Sequence, residues 1–264
     1  MYYLIERRVN INKRRYEILC ILLNENDFVP LEHLKKIFKV SLRTINEDVK
    51  IINNYLLKYS GISINVRDSE TKLEDKKSVK SFLSGLNFYD YTLNKTERLN
   101  VETLILLISK EYVTKKELAD IMFASRSTVT SDIDGLVTFI KKKNMSLVTK
   151  PGKGLFIDGS HRNKREALID FVYDNCYLIN MFINSVNNLN ENIAFKIEEN
   201  KKTIFNIIGE SEYRNSVIFS EKSFEILSNY LLVLSLSTDY DHESIDESDF
   251  ISDNLDKNLS LIHI

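Results

Sequence analysis

Apolar residues recur with a helical period through most of the chain. Over 12–24, Ile18, Leu19, Ile21 and Leu22 gather toward one side, which predicts an amphipathic helix. Pro30 suits a helix start, and Leu34, Ile37 and Phe38 carry a second stripe as far as Val40. Ser41 is a good N-cap for a longer helix whose apolar positions Ile45, Val49, Ile52 and Leu56 fall at i, i+4, i+7 and i+11. Gly61 ends that helix, and the ISINV that follows alternates as a strand does.

The same series returns downstream. Segments 101–108 and 115–122 read as two helices, and Ser125 caps a third whose stripe is Val129, Ile133, Leu136 and Ile140. Laying Ser41 on Ser125 gives an ungapped offset of 84 residues. Identities fall at Leu34/Leu118, Ile37/Ile121, Ser41/Ser125, Thr44/Thr128, Asp48/Asp132 and Lys58/Lys142. Core pairs argue for a structural duplication more strongly: Ile45/Val129, Val49/Ile133, Ile52/Leu136, Tyr55/Phe139 and Leu56/Ile140. Between the copies, 67–80 is charged and lacks a steady apolar period, so it reads as wing or linker. After the second copy, SLVTKPGKGLFIDG has two short apolar runs around Pro151, Gly152 and Gly154, the pattern of a β-hairpin with a basic tip. From Arg165 onward the chain reads as helical again, with an Asn-rich connection over 187–192 and FEILSNYLLVLSL as its most hydrophobic segment.

Composition agrees with this reading. With 7 Gly and 2 Pro in 264 residues, turn residues are too few for an all-β fold or a Gly-rich phosphate loop, so the fold class is mainly α. Apolar stretches such as 231–236 are far shorter than a membrane span, and charge near the start argues against a signal peptide; a cytoplasmic protein without membrane contact is expected. Cys20 and Cys176 sit among apolar periodic residues without CxxC spacing, and read as buried free thiols. The formal net charge of −2 conceals a division: residues 1–165 carry 30 Lys+Arg against 20 Asp+Glu, whereas 166–264 carry 6 against 18. The front, at +10, suits a polyanion, and the back, at −12, does not.

A capped helix set after a short turn, with its polar face outward, fits a major groove. Its first turns bring side chains to base edges while its start faces phosphate. In the first copy Leu42, Arg43, Asn46, Glu47 and Lys50 are expected to face outward. Arg43 can fork onto guanine and Asn46 onto adenine, while Ser41 and Thr44 bind phosphate or cap the helix. In the second copy Ser125 and Thr128 take the places of Ser41 and Thr44. Arg126, Ser127 and Thr130 face outward there, and Lys150 and Lys153 lie on the wing. This helix is poorer in cations, with Asp134 where Lys50 stood. Asp48 and Asp132 would repel phosphate, so a structural salt bridge or hydrogen bond suits them better.

VSLRTINEDV and ASRSTVTSDI each resemble the turn and recognition helix of bacterial winged helix-turn-helix regulators. The full order resembles the multidomain sugar-regulon regulators of the phosphotransferase system, in the mannitol and lichenan activator group. The resemblance covers about 11–172 well and extends to related virulence regulators of Gram-positive bacteria. It implies two tandem winged helix-turn-helix domains followed by a helical, PRD-like regulatory domain. It also implies double-stranded DNA, a homodimer partner and phosphotransferase-system proteins as partners, and a sequence-specific regulator of a sugar-uptake or related operon. The expected domains are 1–80, 81–164 and an incomplete acidic domain over 165–258. In the family the helical module is phosphorylated on histidine; here Tyr230 stands at that histidine and Ser237 at a following arginine, which sets phosphoregulation at this site aside.

No nucleophile elbow, Walker loop, GxGxxG or HExxH occurs, so no enzyme activity, cofactor or metal is expected. His33, His161 and His242 read as solvated or satisfied side chains, and the run DYDHESIDESD lacks the spacing of a calcium loop. The final LSLIHI is what one frame of a transposon end used in sequencing libraries would encode, so 259–264 are expected to be non-native. An RNA-binding antiterminator and a winged-helix protein adaptor stay open as alternatives; two helical repeats at the start argue against the first.

Overall fold

The structure, a computed structural model, describes residues 11–187 and 191–236. Its elements are mainly helical. It divides into two compact units at Arg98/Leu99, and the segment Asn180–Ser185 belongs to the first.

The first unit opens with α1 (Lys13–Asn24), capped by the Asn12 side chain accepting from the Arg15 N–H. A two-residue strand β1 (Val29–Pro30) leads into α2 (Leu31–Phe38), and Lys39 turns the chain at φ 51° before α3 (Leu42–Ser60). Gly61, in the left-handed region at φ 67°, ends α3 where a side chain would add strain. Strands β2 (Ile64–Arg67) and β3 (Glu70–Leu73) form an antiparallel hairpin with β1 on the outer side of β3, and α4 (Lys76–Gly85) closes the series. Ile18, Leu22, Leu34, Ile45, Ile52, Leu56 and Val79 meet in one buried core, so the predicted stripes of the first three helices face each other. One correction concerns α2: Ile37 is 45% exposed, because it lies to the side of the face on which Leu31, Leu34 and Phe38 meet the core. The charged stretch 67–80, read as wing or linker, holds the second strand of the hairpin and the start of α4, since every second residue of Glu70–Leu73 is buried and Asp75 caps the helix. The Ser78 side chain and N–H bonding to Asp75 hold its carboxyl below the ordinary value.

In the second unit α5 (Lys95–Ile108), whose last ten residues lie in this unit, precedes α6 (Lys115–Ile121), α7 (Arg126–Lys141), a hairpin of β4 (Ser146–Lys150) with β5 (Gly154–Asp158), and α8 (His161–Asp174). Thr114 and Glu117 form a capping box at the start of α6. Helix α8 begins at His161 rather than Arg165, because the Ser160 side chain caps it. Then follow α9 (Cys176–Asn187), α10 (Glu191–Asn215) and α11 (Glu221–Leu236), with α11 packed on α10 and α8. In α11 only Asn229, Leu232 and Val233 are buried, so the strip 227–236 is half-buried rather than a continuous core. Neither Cys20 nor Cys176 forms a disulfide, and both are half-buried rather than fully buried. Burial pushes the Cys176 thiol up despite the Asn229 amide donating to its Sγ at 3.4 Å. His33 and His161 are exposed; Ser237, His242, the acidic run and LSLIHI lie outside the described residues.

The duplication is structural. The offset of 84 carries α2 onto α6, Lys39 onto Phe123 with the same φ of 51°, and the capping serine of α3 onto that of α7. It also carries the β1–β3 pair Val29/Thr71 onto the bridge Val113/Leu155.

Candidate nucleic-acid interface

Helices α3 and α7 begin alike. In α3 the Thr44 N–H donates to Ser41 Oγ at 3.1 Å, and the two hydroxyls bond at 2.8 Å. In α7 the Thr128 N–H donates to Ser125 Oγ at 3.0 Å, while Ser125 Oγ meets the hydroxyls of Ser127 at 2.7 Å and Thr128 at 2.8 Å. Each arrangement satisfies a backbone donor of the first turn and leaves hydroxyls beside a helix N-terminus.

Beyond the caps, Arg43, Asn46, Glu47 and Lys50 are exposed on α3. The Asn46 amide donates to the Leu42 carbonyl oxygen at 3.0 Å and must leave it to reach another acceptor. Leu42, expected outward, is instead half-buried and packs on the first core, because the helix start lies low against its neighbours. On α7, Arg126, Ser127 and Thr130 are exposed, as are Lys150 and Lys153 on the hairpin.

Asp48 lies on the opposite side of α3, buried to 1% exposure, and holds two guanidinium groups from α1: Arg14 Nε at 2.5 Å and Arg15 Nε at 2.9 Å. Both guanidiniums keep part of their side chain in solvent, so the pair crosslinks α1 to α3 without burying its charge completely. Asp132, the counterpart on α7, is buried to the same extent. At the far end of α3, the Tyr55 hydroxyl donates to Asp90 Oδ1 at 2.8 Å, and burial together with that carboxylate pushes the phenol well above its ordinary range. Tyr55 also packs on Tyr59 and Phe82, with ring centroids 4.4 and 5.4 Å away.

Besides Lys150 and Lys153, the hairpins hold two cations that the sequence reading did not single out, Arg67 and Lys72. Arg67 ends β2 and is exposed, with its guanidinium carbon 3.6 Å from the centroid of the Phe28 ring; Lys72 Nζ lies 5.7 Å from the same ring. In the second unit Lys150 Nζ stands 4.8 Å from the Tyr112 ring, and Tyr112 packs on Phe156 at 5.5 Å. The stretch 67–80, read as wing or linker, supplies the second strand of the first hairpin; its irregular charge left that strand without a clear period.

Among the described residues no group of three or more His, Cys, Asp or Glu side chains is placed to hold a metal, and no helix is long and apolar enough to cross a membrane. The chain is 26% identical over 238 residues to Transcriptional regulator ManR from Bacillus subtilis (strain 168), an alignment covering 85% of this chain. The aligned segment is 34% of that relative, so the chain spans about a third of its length. No family model matches the chain.

Proposed function

We infer that the chain is a non-enzymatic transcriptional regulator that binds double-stranded DNA through α3 and α7. The observation that carries this reading is the duplicated helix, turn, capped helix and hairpin, each copy exposing an arginine on the first turn of its second helix. Ser41, Thr44, Ser125 and Thr128 serve the helix starts and nearby phosphates; Arg43, Asn46 and Lys50 read or flank bases; Arg126, Ser127 and Thr130 do so more weakly; Lys150 and Lys153 meet phosphate. Similarity to a transcriptional regulator supports the class. Two winged helix-turn-helix domains over 1–80 and 81–164, a PRD-like domain over 165–258, a homodimer and control of a sugar-uptake operon by phosphotransferase-system proteins in the cytoplasm complete the proposal.

Base readout belongs mainly to the first copy, because Arg43, Asn46 and Lys50 are better donors than Ser127, Thr130 and Asp134. Six neutralised phosphates would lower affinity by ~10³ between 50 and 200 mM salt. Arg43→Ala is expected to relax preference by ~1 to 3 kcal/mol at one base pair in sites selected from random duplexes. A flat salt response rejects DNA binding; selected sites that change with Arg126→Ala but not with Arg43→Ala reverse the roles of the copies.

Tyr230 takes no part in a phosphate relay in this reading. It is half-buried, and burial pushes its phenol up even though Arg165 works in the opposite direction. A dianion there would lose hydration that its apolar helix neighbours cannot replace.

A further inference from the structure

The two hairpins differ in their loops, yet they present a cation at one shared position. In the first, Arg67 pairs with Glu70 and closes a two-residue turn whose members, Asp68 and Ser69, both have positive φ, at 46° and 65°. In the second, Lys150 pairs with Gly154 across a three-residue loop. The longer loop shifts the first strand by one residue, so Lys150 corresponds to Arg67 although the ungapped offset would have placed Pro151 there. Beneath each cation lies an aromatic ring from the residue before the β1 position: Phe28 beside Val29, and Tyr112 beside Val113. Phe28 and Tyr112 do correspond at the offset of 84.

Hydrophobic cores do not require this arrangement. Both rings are half-buried, and both cations are exposed. A ring face attracts a cation and holds its side chain in one direction at little cost in desolvation. The chemistry is retained while every residue in it differs between the copies: Arg on Phe in one, Lys on Tyr in the other.

We propose that Phe28 and Tyr112 are positioning residues that hold Arg67 and Lys150 as the phosphate-facing cations of the two hairpins, which makes Arg67 a DNA contact. The inference rests on the DNA-binding reading above. An ordered side chain loses less rotamer freedom when it meets a phosphate, so the ring strengthens binding without touching the ligand. The contact is to backbone charge and therefore independent of sequence.

The test uses the full chain and a mixed-sequence DNA duplex titrated across salt concentrations. Arg67→Ala is expected to weaken binding and reduce the salt slope by about 1. Phe28→Leu keeps the charge, so it should weaken binding about two- to fivefold, the equivalent of a surface cation–π contact. Phe28→Tyr, which installs the ring of the second copy, should restore it. In a background that removes both cations on the ring, Arg67→Ala with Lys72→Ala, Phe28→Leu should have no further effect, because the ring acts through the cation. An equal loss from Phe28→Leu in both backgrounds overturns the proposal and makes the ring a packing residue only. Unaltered binding by Arg67→Ala overturns it while leaving the DNA reading intact; no salt-dependent binding by the unaltered chain overturns both.

Discussion

The first and second copies share a backbone plan but differ in the residues behind their capped helices. In the first, α3 is crosslinked to α1 by Asp48 with Arg14 and Arg15, and its far end is tied by Tyr55 to Asp90. The second has Arg98 and Leu99 where Arg14 and Arg15 would fall, and Phe139 where Tyr55 would fall. In our reading the copy richer in donors for base edges is thus also the one that places a second arginine and a tyrosine hydroxyl at these positions. In the proposed DNA complex, a helix that holds arginine and asparagine in register with bases gains from being fixed on its buried side.

The largest expected effect tests that tie. Asp48→Ala strands two partly buried guanidiniums and should lower stability by ~3 kcal/mol in urea unfolding of the full chain. Arg15→Leu, which writes the second copy's residue into the first, leaves Arg14 on Asp48 and should lose about 2 kcal/mol. Losses below half a kcal/mol for both would show that the crosslink is incidental and that the copies are held equally by their cores.

A second prediction exploits the hairpins. At Gly154, with φ 120°, an added Cβ would meet the Val113 carbonyl oxygen at 2.3 Å, whereas Glu70 holds the corresponding place in the first copy. Gly154→Ala should destabilise the second hairpin by about 2 kcal/mol, and amide exchange should quicken at Val113 and Leu155, which bond to each other at 2.8 Å in both directions. Unchanged exchange there would mean that the backbone can shift to accept the methyl group.

The smallest effect has the opposite sign. Thr71, fully buried in the first copy, has a hydroxyl without a hydrogen-bond partner, and its counterpart is Leu155. Thr71→Val removes that buried polar atom at nearly constant volume and should stabilise the protein by up to ~1 kcal/mol in thermal or urea unfolding. A loss of stability would indicate that the hydroxyl is satisfied by water.

Periodicity alone determined α3 and α7, because their stripes sit at helical spacing behind serine caps; the α3 stripe is buried throughout, and in α7 Val129, Leu136 and Ile140 are buried with Ile133 half-buried. Ser41, Ser125 and Gly61 marked helix ends by local chemistry, which needs no distant partner. The basic front was legible as well, since charge is a sum over residues. Other features depend on residues far apart in sequence. Leu42 turned inward because the core reaches the helix start, and Ile37 outward because the core meets the face of Leu31, Leu34 and Phe38 beside it. The salt bridges of Asp48 span more than 30 residues, and the Asn184 amide reaches back about 100 residues to the Ser84 and Leu86 carbonyl oxygens. Only the folded chain could pair Arg67 with Phe28 and Lys150 with Tyr112, because a one-residue shift in strand register, invisible to an ungapped comparison, decides which side chain closes each hairpin.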